Sequence, residues 1–417
     1  MSCSRPSRRP GSRALPLTCV VAGALTAGCA SRPASVPSAG PIASATPSCL
    51  IVADSVGPPR PVIVAIADSA DAERTRRAES LDTPVRLDCM GRALPGLAAA
   101  WSPDSSRRFW TLQLDSLAGG PDALRLTASS LAAAWRAGGA ASDALRFAGI
   151  VSLFPLDAHR LVVGFSAPHS ALPAVFADPA LGLPRARPGP TTLTVRGPGS
   201  DLRDALDGDA DLVVSDDPAL LEYAGRRPGF TSVPLPWSRS YVLLLPGGGS
   251  LEAAVPANDS AGFRAGLARD AVRADARPVV GPSWWDEPGD CRPAPAPGVA
   301  AQSSTIVYPE DDVTARELSE RLVALARSAS LQAHGLGADS LSAALRAGNE
   351  RGYVVPLPSH ALVPCRAVAD WPAGAAAVGL VQTRAHAIIR RGTPALVVGW
   401  DGTLRSPDGA GLQPPSP

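Results

Sequence analysis

The side chains in this chain that could carry chemistry are few, and their spacing excludes most reactions. There are seven Cys and five His. The His (159, 169, 334, 360 and 386) are scattered and no Cys-x-x-Cys occurs, so no zinc site is expected. No Gly-x-Ser-x-Gly elbow occurs, and no His is placed to serve as its base. Asp207, Asp209 and Asp211 alternate as calcium ligands do, but Leu212 and Pro218 stand where a calcium loop needs Gly and Glu. Gly247-Gly248-Gly249 lacks the following Gly-Lys-Ser of a phosphate loop. Asp216-Asp217 and Glu310-Asp311-Asp312 precede helical patterns, where acids suit the helix dipole. No catalytic residue, metal or cofactor is expected, and binding is the chemistry that remains.

Aromatic residues make up only 5% of the chain, which makes its eight Trp informative. Trp101, Trp110, Trp135, Trp371 and Trp400 fall in patterns that suit packing. Trp237 follows Pro234-Leu235-Pro236 and is a candidate cleft residue, with Arg239 beside it able to pair with a carboxylate. Trp284-Trp285-Asp286 lies in a loop rich in Pro and Gly. Adjacent rings in such a loop are hard to bury together. One could stack on a ligand while Asp286 holds an amine, since binding clefts combine apolar walls with a few polar groups.

The elements that must position these residues alternate between strand and helix. Residues 61–66, 107–114, 160–166, 211–215, 240–245, 304–308 and 353–355 read as strands. In 107–114, Trp110, Leu112 and Leu114 share one face. Residues 94–101 and 201–206 read as short helices. Thr127 caps a helix through 137 that Gly138-Gly139 ends. Thr314 to Glu317 is a capping-box pattern, and the helix after it aligns Leu318, Leu322 and Leu325, with Glu317 and Arg321 four apart. A second helix at 339–347 ends at Gly348. Strand–helix–strand order predicts an α/β fold with mixed sheets covered by helices.

With 417 residues, 45% of them hydrophobic, the chain is long enough for two lobes. The first 13 residues are basic, and residues 14–28 form an apolar run of 15 that suits a secretory signal better than a membrane span. Small residues lead directly into Cys29, as in a bacterial lipoprotein signal, so Cys29 is the expected lipidation site. Residues 30–48 read as a flexible tether. The formal charge is +1, and losing the four Arg of that leader takes it to −3. A slightly acidic body is a poor partner for nucleic acid.

The order of landmarks resembles the extracellular solute-binding proteins of family 5, the peptide and nickel receptors of ABC importers. LPGLAAAWSPDSSRRFWTLQL (94–114), LTASSLAAAWRA (126–137), LDAHRLVVGFSAPHSALPAVFA (156–177) and DLRDALDGDADLVV (201–214) are each similar to a family segment. So are SYVLLL (240–245), FRAGLARDAVRADA (263–276), the strand–helix–strand at 304–355, and QTRAHAIIRRGTPALVVGWDGTLR (382–405). The family's Trp-x-x-Asp-x-x-x-Pro region is not recognisable near 353–371.

The resemblance implies a two-lobed, periplasmic-binding-protein-like α/β fold with a hinge. Its parts are a signal peptide at 1–28, an anchor and tether at 29–48, lobe 1 at 49–245, lobe 2 at 246–376, and a return to lobe 1 with a disordered tail at 377–417. It implies a monomeric, exported receptor, lipid-anchored to a bacterial membrane. Its partners would be an ABC permease and a small peptide-like solute, and it would not be an enzyme. Trp237, Arg239, Trp284, Trp285 and Asp286 are the ligand-binding candidates. Two other readings stay open: a degenerate homologue acting as scaffold or sensor without transport, and an exported hydrolase. Cys49, Cys89, Cys291 and Cys365 allow three pairings. Cys49–Cys89 and Cys291–Cys365 are favoured, each within one lobe.

Overall fold

The structure is a computed structural model that describes residues 49–52, 57–115, 126–185, 191–197, 201–248, 260–281, 283–286, 303–326 and 330–407. The leader, the lipidation candidate Cys29, the tether, Cys291, Gly249 and the tail from 408 lie outside the described residues.

Among the described residues there are six sheets, and the three largest build the body. The first has five strands in the order Leu193–Arg196, Val62–Ile66, Leu212–Ser215, His386–Arg390, Phe230–Pro234. Its first three strands run parallel, and His386–Arg390 runs antiparallel to both of its neighbours. Val62, Val64, Leu212, Val213, Ile388 and Ile389 are buried, which gives the continuous apolar runs of a sheet covered on both faces.

The second sheet has six strands: Asp275–Pro278, Ala376–Arg384, Arg239–Leu245, Gly352–Pro358, Thr305–Pro309, Gln332–Leu336. Thr305–Pro309 is parallel to both neighbours, and the other pairings are antiparallel. Leu318 and Leu322 of the helix Val313–Leu325 are fully buried against this sheet's core. The helix Ala338–Ala347 ends where Gly348 adopts a left-handed φ of 64°.

The third sheet is antiparallel, with two hairpins paired in the order Ala98–Pro103, Phe109–Leu114, Arg160–Phe165, Ile150–Pro155. Trp110, Leu112 and Leu114 do share its inner face. Thr127 caps the helix Ala128–Arg136 by accepting from the Ser130 amide at 3.1 Å. A second helix, Gly139–Phe147, follows at once. Trp135 is buried between these elements and donates its indole N–H to the Leu181 carbonyl at 3.0 Å.

The disulfide Cys49–Cys89 ties the start of the body to the first lobe, with Cα atoms 5.4 Å apart. Cys365 is also disulfide-bonded.

Three sequence expectations are corrected. Residues 94–101 form no helix; they form the strands Ala93–Pro95 and Ala98–Pro103. A Cβ on Gly96 would come within 2.2 Å of the Thr83 carbonyl oxygen, so the backbone passes close there. Pairing with Phe109–Leu114 then outweighs the helix preference of alanine. The cap of Val313–Leu325 is Asp312, not Thr314: its carboxylate accepts from the Ala315 amide at 2.9 Å. Glu317 pairs with Arg273 at 2.9 Å rather than with Arg321.

The third correction concerns the crossovers. Arg239–Leu245 and Ala376–Arg384 are neighbouring strands inside the second sheet, and Ser240 to Leu245 are all buried. The chain therefore passes between the first and second sheets near 235–238 and at Ala385, whereas the expected lobe limits were 245/246 and 376/377. The two crossings run side by side, joined by a 2.9 Å hydrogen bond from the Leu235 amide to the Ala385 carbonyl.

Candidate functional site

Three strands, two from the first sheet and one from the second, are followed by acids at the seam between those sheets. Asp68 follows Val62–Ile66, Asp216 follows Leu212–Ser215, and Asp312 follows Thr305–Pro309. Ligand crevices of open α/β sheets form outside the carboxyl ends of such strands. Two of these acids also cap helices. Asp68 accepts from the Ala70 and Asp71 amides at 2.8 and 3.0 Å, and Asp312 caps its own helix. Asp71, in the first turn of the helix Ser69–Ser80, joins the group.

Arg239 stands among these acids, at the first position of the central strand of the second sheet. Its guanidinium donates to Asp68 at 2.8 Å and to Asp71 at 3.2 Å, so it bridges the second lobe to the first. Arg74 also pairs with Asp71. Two residues beyond Arg239, the buried Tyr241 hydroxyl donates to Asp312 at 3.1 Å.

The protonation equilibria follow from this arrangement. Burial works to raise the Asp68 carboxyl, but Arg239 and the two helix amides outweigh it and hold it below its ordinary value. For Asp71 burial wins, helped by Asp68 and Asp401, and the carboxyl is raised despite Arg239 and Arg74. Asp216 and Asp312 are raised chiefly by desolvation, with other carboxylates of the group adding to it. Asp216 itself is exposed at the surface. Burial opposes the charge on Arg239, but Tyr241, Asp71 and Asp68 more than compensate, and it stays a cation. A small cavity beside the cluster is lined by Asp71, Arg74, Ser238, Asp401 and Thr403 on its polar side.

Of the five residues nominated from sequence, only Arg239 lies in this cluster. Trp237, between the two strands that flank the crossover, has the guanidinium groups of Arg277 and Arg384 over its ring, 4.5 and 4.4 Å from the ring centre. Trp284 is half-buried and donates its indole N–H to the Pro358 carbonyl at 2.9 Å, opposite Arg239 in the strand register. Trp285 is 1% exposed and packs in the second-lobe core with Val242, Val279, Tyr353 and Trp371. The two rings meet edge to face at 5.4 Å. Asp286 closes its own turn, accepting from the Ser283 amide at 2.7 Å. Asp68, Asp71 and Tyr241 escaped sequence reasoning, and Asp216 and Asp312 drew notice only as helix-start acids. The usable signal was an acid just beyond a strand buried on both faces.

Among the described residues, no three or more His, Cys, Asp or Glu group so as to hold a metal ion. No described helix is long and apolar enough to cross a membrane.

No family model matches the sequence, and no curated protein matches it. Solved structures do. The murein tripeptide-binding protein MppA of Escherichia coli superposes with a TM-score of 0.58 at 12% identity, over 84% of this chain and 98% of that one. An oligopeptide-binding protein of Borrelia burgdorferi gives 0.56 at 10%, over 79% and 95%. NikZ of Campylobacter jejuni, solved with Ni(L-His), gives 0.56 at 10%, over 83% and 98%. The chain has the fold of the periplasmic solute-binding proteins. The resemblance in the order of sequence landmarks is thereby borne out as fold, as is the mixed α/β, two-lobed expectation. In this solute-binding fold the acidic cluster occupies the seam between the lobes.

Proposed function

We propose that this protein is an exported solute receptor of an ABC importer, tethered to a bacterial membrane through Cys29, that captures a small peptide-like solute between its lobes. One observation carries the reading. Acids from the strand ends of both lobes converge at the lobe seam, in a chain whose fold matches peptide-binding proteins over most of its length. Asp68, Asp71, Asp216 and Asp312 outnumber the guanidinium groups of Arg239 and Arg74, which suits the cationic end of a peptide-like solute. Trp284, on the strand-end side of Pro358, supplies an apolar wall. The reaction is capture and delivery, with no bond made or broken.

A thermal-shift screen against peptides and amino acids tests this. A ligand at one hundred times its Kd stabilises the native state by about 2.7 kcal/mol. The expected result is a shift confined to one solute class and strongest for those with a free amine. No shift with any solute, together with turnover of a chromogenic ester or amide, would replace the receptor with the exported hydrolase. The anchor is tested separately: a fatty-acid probe labels the protein in its host and fails to label Cys29→Ser.

A second reading, a non-transporting scaffold of the same fold, is favoured by one observation. Arg239 already satisfies Asp68 and Asp71 within the chain. A protein that no solute shifts and that turns over no substrate would have this role.

A further inference from the structure

The segment 359–371, between the second-lobe strands Gly352–Pro358 and Ala376–Arg384, does not pack only on its own lobe. Its C-terminal end does: Val368 and Trp371 belong to the second-lobe core. Its middle belongs elsewhere. Val363 is 3% exposed and is part of the core under the third sheet, with Trp135, Leu145, Val175 and Leu181, and Leu362 packs against the same cluster. The short helix Pro364–Ala367 lies beside the helix Gly139–Phe147 of that body. Arg366 pairs with Asp178, whose carboxylate is almost wholly buried and also accepts from the Ala180 amide at 2.8 Å. The start of the segment touches a third place. The His360 ring meets Trp400, in the closing segment of the first lobe, at 5.6 Å, and the Ser359 amide donates to the Ser238 carbonyl in the crossover at 2.9 Å.

One stretch of thirteen residues (359–371) therefore engages the second lobe, the third-sheet body and the first lobe's closing segment at once. An apolar plug in another body's core and an ion pair on a buried carboxylate are costly to undo. Separating the bodies would expose Leu362 and Val363 and strip Asp178 of its cation. Hinged two-lobe proteins ordinarily leave the joining of lobes to the ligand, which then shifts the population.

We propose that segment 359–371 is a latch that holds the second lobe on the third-sheet body without solute, so that opening of the cleft is gated by release of Leu362, Val363 and Arg366. The latch goes beyond the receptor reading and does not depend on it, because its test needs no ligand. Spin labels at Asp143→Cys in the helix Gly139–Phe147 and Glu320→Cys in the helix Val313–Leu325 report the separation of the two bodies by electron–electron resonance. The solute-free protein is expected to give one narrow distance distribution. Arg366→Ala and Val363→Ser should each raise the open-to-latched ratio by on the order of tenfold, adding a longer distance. Arg366 is partly exposed, so its truncation keeps the test alive if Val363→Ser fails to fold. A broad solute-free distribution, or a narrow one that neither variant moves, overturns the latch. Thermal shifts by solutes are unaffected by either outcome, so the latch and the receptor function fail separately.

Discussion

Replacing Arg239 with Met keeps most of the side-chain stem and removes the charge that bridges the lobes. The guanidinium donates to Asp68 at 2.8 Å and Asp71 at 3.2 Å, and its side chain is 22% exposed. Removing one partner from a largely buried pair costs about 3–5 kcal/mol, because the remaining charge loses its compensation. Here Asp71 retains Arg74, and Asp68 is partly exposed, so the low end applies: about 3 kcal/mol. For a body the size of Ser48–Pro417, an unfolding entropy of about 2.1 cal/mol/K per residue gives roughly 0.8 kcal/mol/K. The expected loss is therefore about 4 °C in Tm, read by differential scanning calorimetry at pH 7. Adding Asp68→Asn and Asp71→Asn to Arg239→Met removes the stranded charges and should recover more than half of that loss. A single variant that melts within a degree of the parent, or a triple variant that melts lower still, would refute the charge-compensation account.

Asp216→Asn and Asp68→Asn should have opposite pH signatures. The raised Asp216 carboxyl contributes stability below its ordinary pKa of about 4 and loses it as pH rises through its folded value, so Asp216→Asn stabilises near pH 7 and the gain fades on acidification. The lowered Asp68 carboxyl contributes stability above its ordinary value and loses it as pH falls, so Asp68→Asn destabilises near pH 7 and converges with the parent in acid. Melts from pH 3 to 8 decide this, and parallel curves would reject it. Removing the Cys49–Cys89 bond by paired Ser substitution frees a 40-residue loop and should cost about 4 kcal/mol in the chain-entropy picture, seen as a drop of roughly 5 °C. Trp285→Ala should cost about 3–5 kcal/mol as a core cavity, whereas Trp284→Ala should weaken solute-induced shifts with a smaller loss of Tm. Equal effects of the two on stability would contradict their different burial.

Sequence by itself determined what depends on neighbours along the chain. Alternation placed Trp110, Leu112 and Leu114 on one face, Thr127 fixed a helix start, and Gly348 fixed a helix end, because caps and periodicity are local geometry. The order of such elements was enough to reach the fold. Where local preference met a competing long-range pairing, the long-range term won: the alanines at 98–100 became strand against Phe109–Leu114. Tertiary structure alone decided the site. Asp68, Asp216 and Asp312 lie far apart in sequence and come together only because strands of two different sheets end at one seam, with Arg239 and Tyr241 presented to them by a fourth strand. The same is true of Trp285, whose loop composition suggested exposure, and of Val363, which is buried in another body's core. Burial of this kind is a property of what closes over a residue, and a linear pattern carries no record of that.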